Sequence, residues 1–192
     1  TNGYGMVSSV TRPLDVNSNN NWLLAYRQFA GPGTTHGQLG AAYMINDQDW
    51  QVQYNINYNG DPPWEGGAYA QGRYPSVIAT LDYPYAFWTE YTNQGLGYGG
   101  RPYYSYDEFG WSGAAWVYPI DVDPFFDGDK DLWNGSVAHG FDASSGEHHV
   151  SAVYDDWTRT GSYLFTGEAF EGGSILFGSE TLVINPAHLG TD

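Results

Sequence analysis

Along the chain, aromatic and β-branched residues gather in short runs broken by Gly, Asn, Asp and Pro. Tyr, Trp, Phe, Val and Thr favour strands, and the punctuating residues favour turns. No long window carries the i, i+3, i+4, i+7 spacing of an amphipathic helix, so the chain reads as all-β. The segment Tyr74–Thr92, YPSVIATLDYPYAFWTEYT, illustrates the pattern as two strands joined by a tight turn. In its second strand Ala86, Trp88 and Glu90 point one way, and Phe87, Thr89 and Tyr91 point the other. Apolar residues on both sides imply a sheet covered on both faces.

The pattern repeats. Leu24–Phe29, Ala86–Tyr91 and Ala152–Trp157 align as aromatic, any residue, amide or acid, aromatic. Upstream, each copy carries Ser-Val followed by an Asp, as Ser9-Val10 to Asp15, Ser76-Val77 to Asp82, and Ser136-Val137 to Asp142. Downstream, each closes on a strand ending in Ile56, Ile120 or Ile184. Three units of about 64 residues follow, approximately 1–63, 64–127 and 128–192. The middle unit predicts strands near Ser76–Leu81, Ala86–Tyr91, Pro102–Tyr106 and Ala114–Ile120, with Pro and Gly at the joins. A four-stranded antiparallel meander of this length is a β-propeller blade.

The segments GRYPSVIATLDYPYAFWTEYT, GGRPYYSYDEFGW and WNGSVAHGFDASSGEHHVSAVYDDWT resemble blades of secreted bacterial β-propeller-like repeat proteins. That group often carries a C-terminal sorting domain for type IX export, so the resemblance implies an exported protein. No sorting domain is visible in the sequence. Its motifs are packing motifs and imply no particular activity. Propellers close with four to eight blades, and three leave two exposed edges. The chain is therefore expected to be part of a larger propeller, or a block completed by like chains. The alternative is a β-prism, whose known members resemble lectins with threefold pseudosymmetry. The frame of the repeat coincides with both ends of the sequence, which favours a complete three-unit block. The opening TNGYG, without initiator Met or signal peptide, reads as a processed chain or as the ordered part of something longer.

Composition narrows the partners. Six basic residues face 22 acidic ones, a formal net charge of -16, which repels phosphate backbones and anionic membranes. No nucleic-acid partner and no membrane insertion are expected. With no cysteine there is no disulfide framework. Scarce Lys, abundant Tyr, Asn and Gly, and the acidity together place the protein outside the cell or at its surface.

Several chemical signals stand beside bland alternatives. The sialidase-like Asp-box is missing, and the five arginines are scattered. A glycoside hydrolase needs two facing carboxylates, and Glu90 with Asp156 would supply them if the chain is an enzyme. Glu90 aligns with Gln28 and Asp156, however, so polarity recurs at this position while the carboxylate does not, which favours a structural role. Asp121, Asp123, Asp127 and Asp129 form an oxygen-rich loop that suits Ca²⁺ or simply faces solvent. It lacks the EF-hand order of glycine and glutamate. His148 and His149 are adjacent, so they cannot chelate one ion together from a strand. Asn134-Gly-Ser136 is an N-glycosylation sequon. Trp64, Tyr98, Tyr103 and Trp111 are the candidate sugar-stacking residues, because loops carry recognition and Tyr and Trp offer flat apolar faces. The favoured function is an extracellular structural or recognition protein that self-assembles or binds glycans. The competing one is a carbohydrate-active enzyme.

Overall fold

The structure is a computed structural model. It describes residues 11–28, 37–58, 71–92, 99–112, 115–126, 130–169, 172–185 and 187. Among these residues there is no α-helix, and three antiparallel sheets follow one another along the chain. The first sheet orders β1 (Leu14–Val16), β2 (Trp22–Arg27), β3 (Leu39–Met44) and β4 (Gln51–Gln53). The second orders β5 (Gly72–Ala79), β6 (Pro84–Thr92), β7 (Gly99–Tyr106) and β8 (Ile120–Asp121). The third orders β9 (Leu132–Asp142), β10 (Glu147–Asp156) and β11 (Gly161–Ala169), and its fourth strand is split. Both pieces, β12 (Ile175–Phe177) and β13 (Thr181–Ile184), pair with β11.

The sheets stack face to face. β1 and β2 pack on β5, and β9 packs against β5, β6 and β7. One core lies between the first and second sheets, built from Leu23, Leu39, Tyr43, Val77, Ala86 and Trp88. The other lies between the second and third sheets and includes Phe87, Tyr104, Val137, Ala152, Tyr154 and Phe165. The middle sheet is thus buried on both faces, and Ala86 and Trp88 face one neighbour while Tyr85 and Phe87 face the other. This accounts for the blurred alternation in the Tyr74–Thr92 segment.

The first strands run side by side and are tied by polar contacts. The Arg12 backbone N–H donates to Ser76 Oγ at 3.0 Å, and Ser76 Oγ donates to the Gly135 carbonyl at 3.1 Å. The Ala79 N–H donates to Asp15 Oδ2 at 2.9 Å, and Asn17 Nδ2 to the Thr80 carbonyl at 2.7 Å. β5 and β9 share a left-handed, non-glycine residue at the same place near their start: Tyr74 (φ 52°) and Asn134 (φ 55°). Each lies at a register shift in its strand pair, the signature of a β-bulge that re-aims side chains.

The repeat survives with corrected landmarks. Val77 pairs with Ala86 and Val137 with Ala152, so those two Ser-Val pairs are equivalent. In the first sheet the residue opposite Leu24 is Leu14, so Asp15 lies within its strand, whereas Asp82 follows β5. Val10 is outside the described residues. The Ile56 N–H donates to the Leu39 carbonyl as that of Val122 does to Pro102. The buried Val122, not Ile120, therefore occupies the place of Ile56. The expected fourth strand Ala114–Ile120 contracts to β8 and a single bridge from Asp107 to Trp116. Pro119 removes one ladder donor there.

Candidate functional site

Two regions concentrate chemistry: a buried polar knot at one end of the second sheet and an open cleft at the other. Glu90 lies near the end of β6, opposite Gly72, and is 0% exposed. Its Oε2 accepts from Trp88 Nε1 at 2.9 Å and from Asn57 Nδ2 at 3.2 Å, and its Oε1 accepts the Gln71 N–H. Asn57 cannot turn its amide round, because its Oδ1 already accepts the Leu39 N–H at 2.9 Å. Burial pushes the Glu90 carboxyl up to about 7, against the pull of these donors and of Arg73.

Asp156 holds the equivalent place in the third sheet, opposite Leu132. It accepts the Asp131, Thr158 and Arg159 backbone N–H groups and the Arg159 side chain at 2.5 Å. Burial works against its charge, but Arg159 and the backbone donors outweigh that and hold the carboxyl below its usual range. Gln71 and Asp131 each directly precede a first strand, so both carboxylates cap the N–H group that opens their sheet. Gln28 faces Asn55 instead, accepting its N–H at 2.5 Å. Glu90 and Asp156 sit in different sheets, each sealed within its own hydrogen-bond set.

From Asp156 a chain of charges runs back to the second sheet. Arg159 forks onto Glu180 at 2.8 and 3.2 Å, and Glu180 meets Lys130 at 2.9 Å. Lys130 meets Asp123 at 2.6 Å and is itself buried. Its ammonium occupies the position that a cation would take beside Asp123. Asp121 accepts a hydrogen bond from the Tyr103 side chain, and Asp127 and Asp129 lie outside the described residues. Among the described residues no group of three or more His, Asp or Glu is placed to hold a metal ion, so Asp121 and Asp123 alone offer no calcium cage.

Of the expected sugar-stacking residues, Tyr103 and Trp111 are buried, and Trp64 and Tyr98 lie outside the described residues. Trp111 plugs the core and donates from Nε1 to the Thr80 carbonyl at 3.0 Å. Asn134 is half-buried in β9.

The cleft opens where β5, β7 and β9 end, with a volume of about 670 Å³. Its wall carries Asp82, Tyr83, Glu108, Phe109 and His148. Phe109 is 63% exposed and stands on a short turn in which Asp107 Oδ1 accepts its N–H at 3.0 Å. Gly110 (φ 65°) follows, and a Cβ there would meet the Asp82 carbonyl at 2.6 Å, so only glycine lets this turn close on β5. His148 Nε2 lies 3.9 Å from Asp82 Oδ2, and its ring rests on Phe141 with centroids 4.9 Å apart. Behind it His139 stands 3.8 Å from Asp15. The cleft thus pairs exposed carboxylate acceptors with an exposed ring. The sequence reading missed it because its residues come from four separate turns and strand ends.

No family model matches the chain, and no curated protein matches it by sequence. Among solved structures, it is similar to an endo-1,4-β-xylanase from Bacteroides thetaiotaomicron. That similarity covers 92% of this chain at 16% identity, with a TM-score of 0.52. The likeness is one of fold. The chain spans 60% of the length of the xylanase structure. A GH43 protein from Bacillus licheniformis aligns over 96% of this chain and 48% of its own, at 12% identity and a TM-score of 0.38, too low to carry weight.

Proposed function

We propose that the protein recognises neutral glycans as an extracellular propeller-type repeat protein, using the cleft at the ends of β5, β7 and β9. The observation that carries this reading is the cleft lining. Asp82 and Glu108 supply acceptors for sugar hydroxyls, and Phe109 and Tyr83 supply flat apolar faces for sugar C–H groups. A net charge of -16 disfavours uronic acids and other anionic glycans. The shared fold with a xylanase makes neutral plant-type oligosaccharides the first probes. A hydrolytic reading would use Glu90 as general acid, since a carboxyl near 7 suits that task. Glu90 is sealed from solvent by Trp88 and Asn57, however, and the binding reading needs no reacting carboxylate.

Calorimetric titration with xylohexaose and arabinohexaose tests the proposal. Binding of one of them is expected, and Asp82→Asn and Phe109→Ala each weaken it at least about tenfold, equivalent to 1.4 kcal/mol. Affinity unchanged in both variants, or no binding of either sugar, overturns it.

A further inference from the structure

At the opposite end of the same two sheets, three rings form a fan. Trp133 is the second residue of β9, with Tyr91 at 5.9 Å and 32° on one side and Trp157 at 5.5 Å and 35° on the other. Tyr74 meets Trp133 edge-on at 6.1 Å. Trp133 is buried, whereas Tyr91 is 38% and Trp157 58% exposed. The fan is held in place from below. Asp131 Oδ1 accepts from Trp133 Nε1 at 2.5 Å and from the Gly100 N–H at 2.6 Å, while the Asp131 carbonyl accepts the Trp157 N–H at 2.9 Å. A Cβ on Gly100 would meet the Trp133 ring at 2.7 Å, so β7 closes directly on this keystone. The bulges at Tyr74 and Asn134 lie at the same end.

Tyr91 and Trp157 occupy equivalent places in their sheets, each following the capped acid. Packing explains Tyr91, which reaches across the seam onto the next sheet's Trp133. It does not explain Trp157, a rigid indole left mostly in solvent. The outer face of the third sheet beside it carries the exposed Leu176 as well as Val153 and Leu164. Val153 and Leu164 are flanked there by Ser151, Asp155, Thr166 and Glu168, where the second sheet buries Tyr85, Phe87 and Tyr104 on the matching face. Fixed rings over acidic ground suit a ligand with apolar C–H faces, hydroxyl rims and no negative charge.

We propose that the Tyr91–Trp133–Trp157 fan is a second glycan-binding site, a stacking platform for a neutral β-linked polysaccharide chain. It rests on the glycan-binding reading above but on separate residues at the other end of the sheets. Calorimetry with xylohexaose as probe is expected to give two sugars per chain. Trp157→Ala, an exposed position whose backbone contact is retained, reduces this to one, as does Phe109→Ala, and the double variant binds none. Tryptophan fluorescence responds to the sugar in Phe109→Ala and loses that response in Trp157→Ala. Unchanged stoichiometry and affinity in Trp157→Ala overturn the platform. Binding lost with Phe109→Ala alone upholds the cleft and removes the platform, and binding lost with Trp157→Ala alone does the reverse.

Discussion

At the scale of single residues, Glu90 explains why an acid stands where the first sheet has Gln28. Two donors, Trp88 Nε1 and Asn57 Nδ2, converge on one oxygen, and only an acceptor satisfies both. An amide has to aim its NH₂ group either at these two or at the Gln71 N–H, which also donates to the carboxyl. Glu90→Gln is therefore expected to destabilise the protein by about 1–3 kcal/mol at pH 5, read by thermal or urea unfolding. The pH dependence has the opposite sense to that of a carboxylate whose pKa is lowered by folding. The folded pKa near 7 lies above the usual 4.5, so between these values the folded chain holds more protons than the unfolded one. The contribution of Glu90 is then fully present below about 4.5 and is lost as pH rises through 7. Ionising Glu90 costs roughly 3 kcal/mol more in the folded chain than in the unfolded one on this basis. Unfolding free energy measured from pH 4.5 to 8 should fall more steeply in the wild type than in Glu90→Gln. Parallel curves would show that Glu90 does not titrate in this range. The recurrence of a polar side chain at this position was legible from the aligned copies. Its partner Asn57 was not, because it meets Glu90 only across the seam between the first and second sheets.

At the scale of elements, the join between the second and third sheets depends on Lys130. Burial works against its charge, but Asp123 and Glu180 outweigh that and raise its pKa. Replacing Lys130 with Met leaves Asp123 buried without its counter-ion, which typically costs about 3–5 kcal/mol. Lys130→Met is expected to show that loss in denaturant unfolding, and Lys130→Met with Asp123→Asn to recover part of it. Equal stability of Lys130→Met and wild type would remove the ion chain as a structural element. The acidic stretch that by composition suits Ca²⁺ or faces solvent holds an ion pair at Asp123 that a count of carboxylates does not show, since it depends on how the loop folds Lys130 back onto it. Strand positions were legible where both faces of a sheet are buried, as in β6 and β7. They were less so at the fourth strands, which lie at the sheet edges, where Pro119 and the break between β12 and β13 interrupt the ladder.

At the scale of the whole molecule, each sheet offers one face to its predecessor. The face carrying Val77, Ala86 and Trp88 is covered by the first sheet, and that carrying Val137, Ala152 and Phe165 by the second. The matching face of the first sheet carries the row Leu14, Leu24, Ala42 and Val52. Leu14 and Val52 are exposed. Exposed apolar surface of this kind favours association. Light scattering is expected to show concentration-dependent association of the chain, abolished by Val52→Glu. A monomer at every concentration would show that a second copy does not cover this face.

The sequence by itself determined the local and repeated features: an all-β chain, three units of one meander, a middle unit buried on both sides, and an acidic surface. These depend on the side-chain period of a strand and on turn residues, both readable within a few neighbouring positions. Only the tertiary structure decided which polar groups meet, because a hydrogen bond or ion pair between sheets joins residues that no local pattern connects. It buried Tyr103 and Trp111 and left Trp157 and Phe109 in solvent. Ring exposure depends on the sheet packed above each residue, and that neighbour is set by the fold.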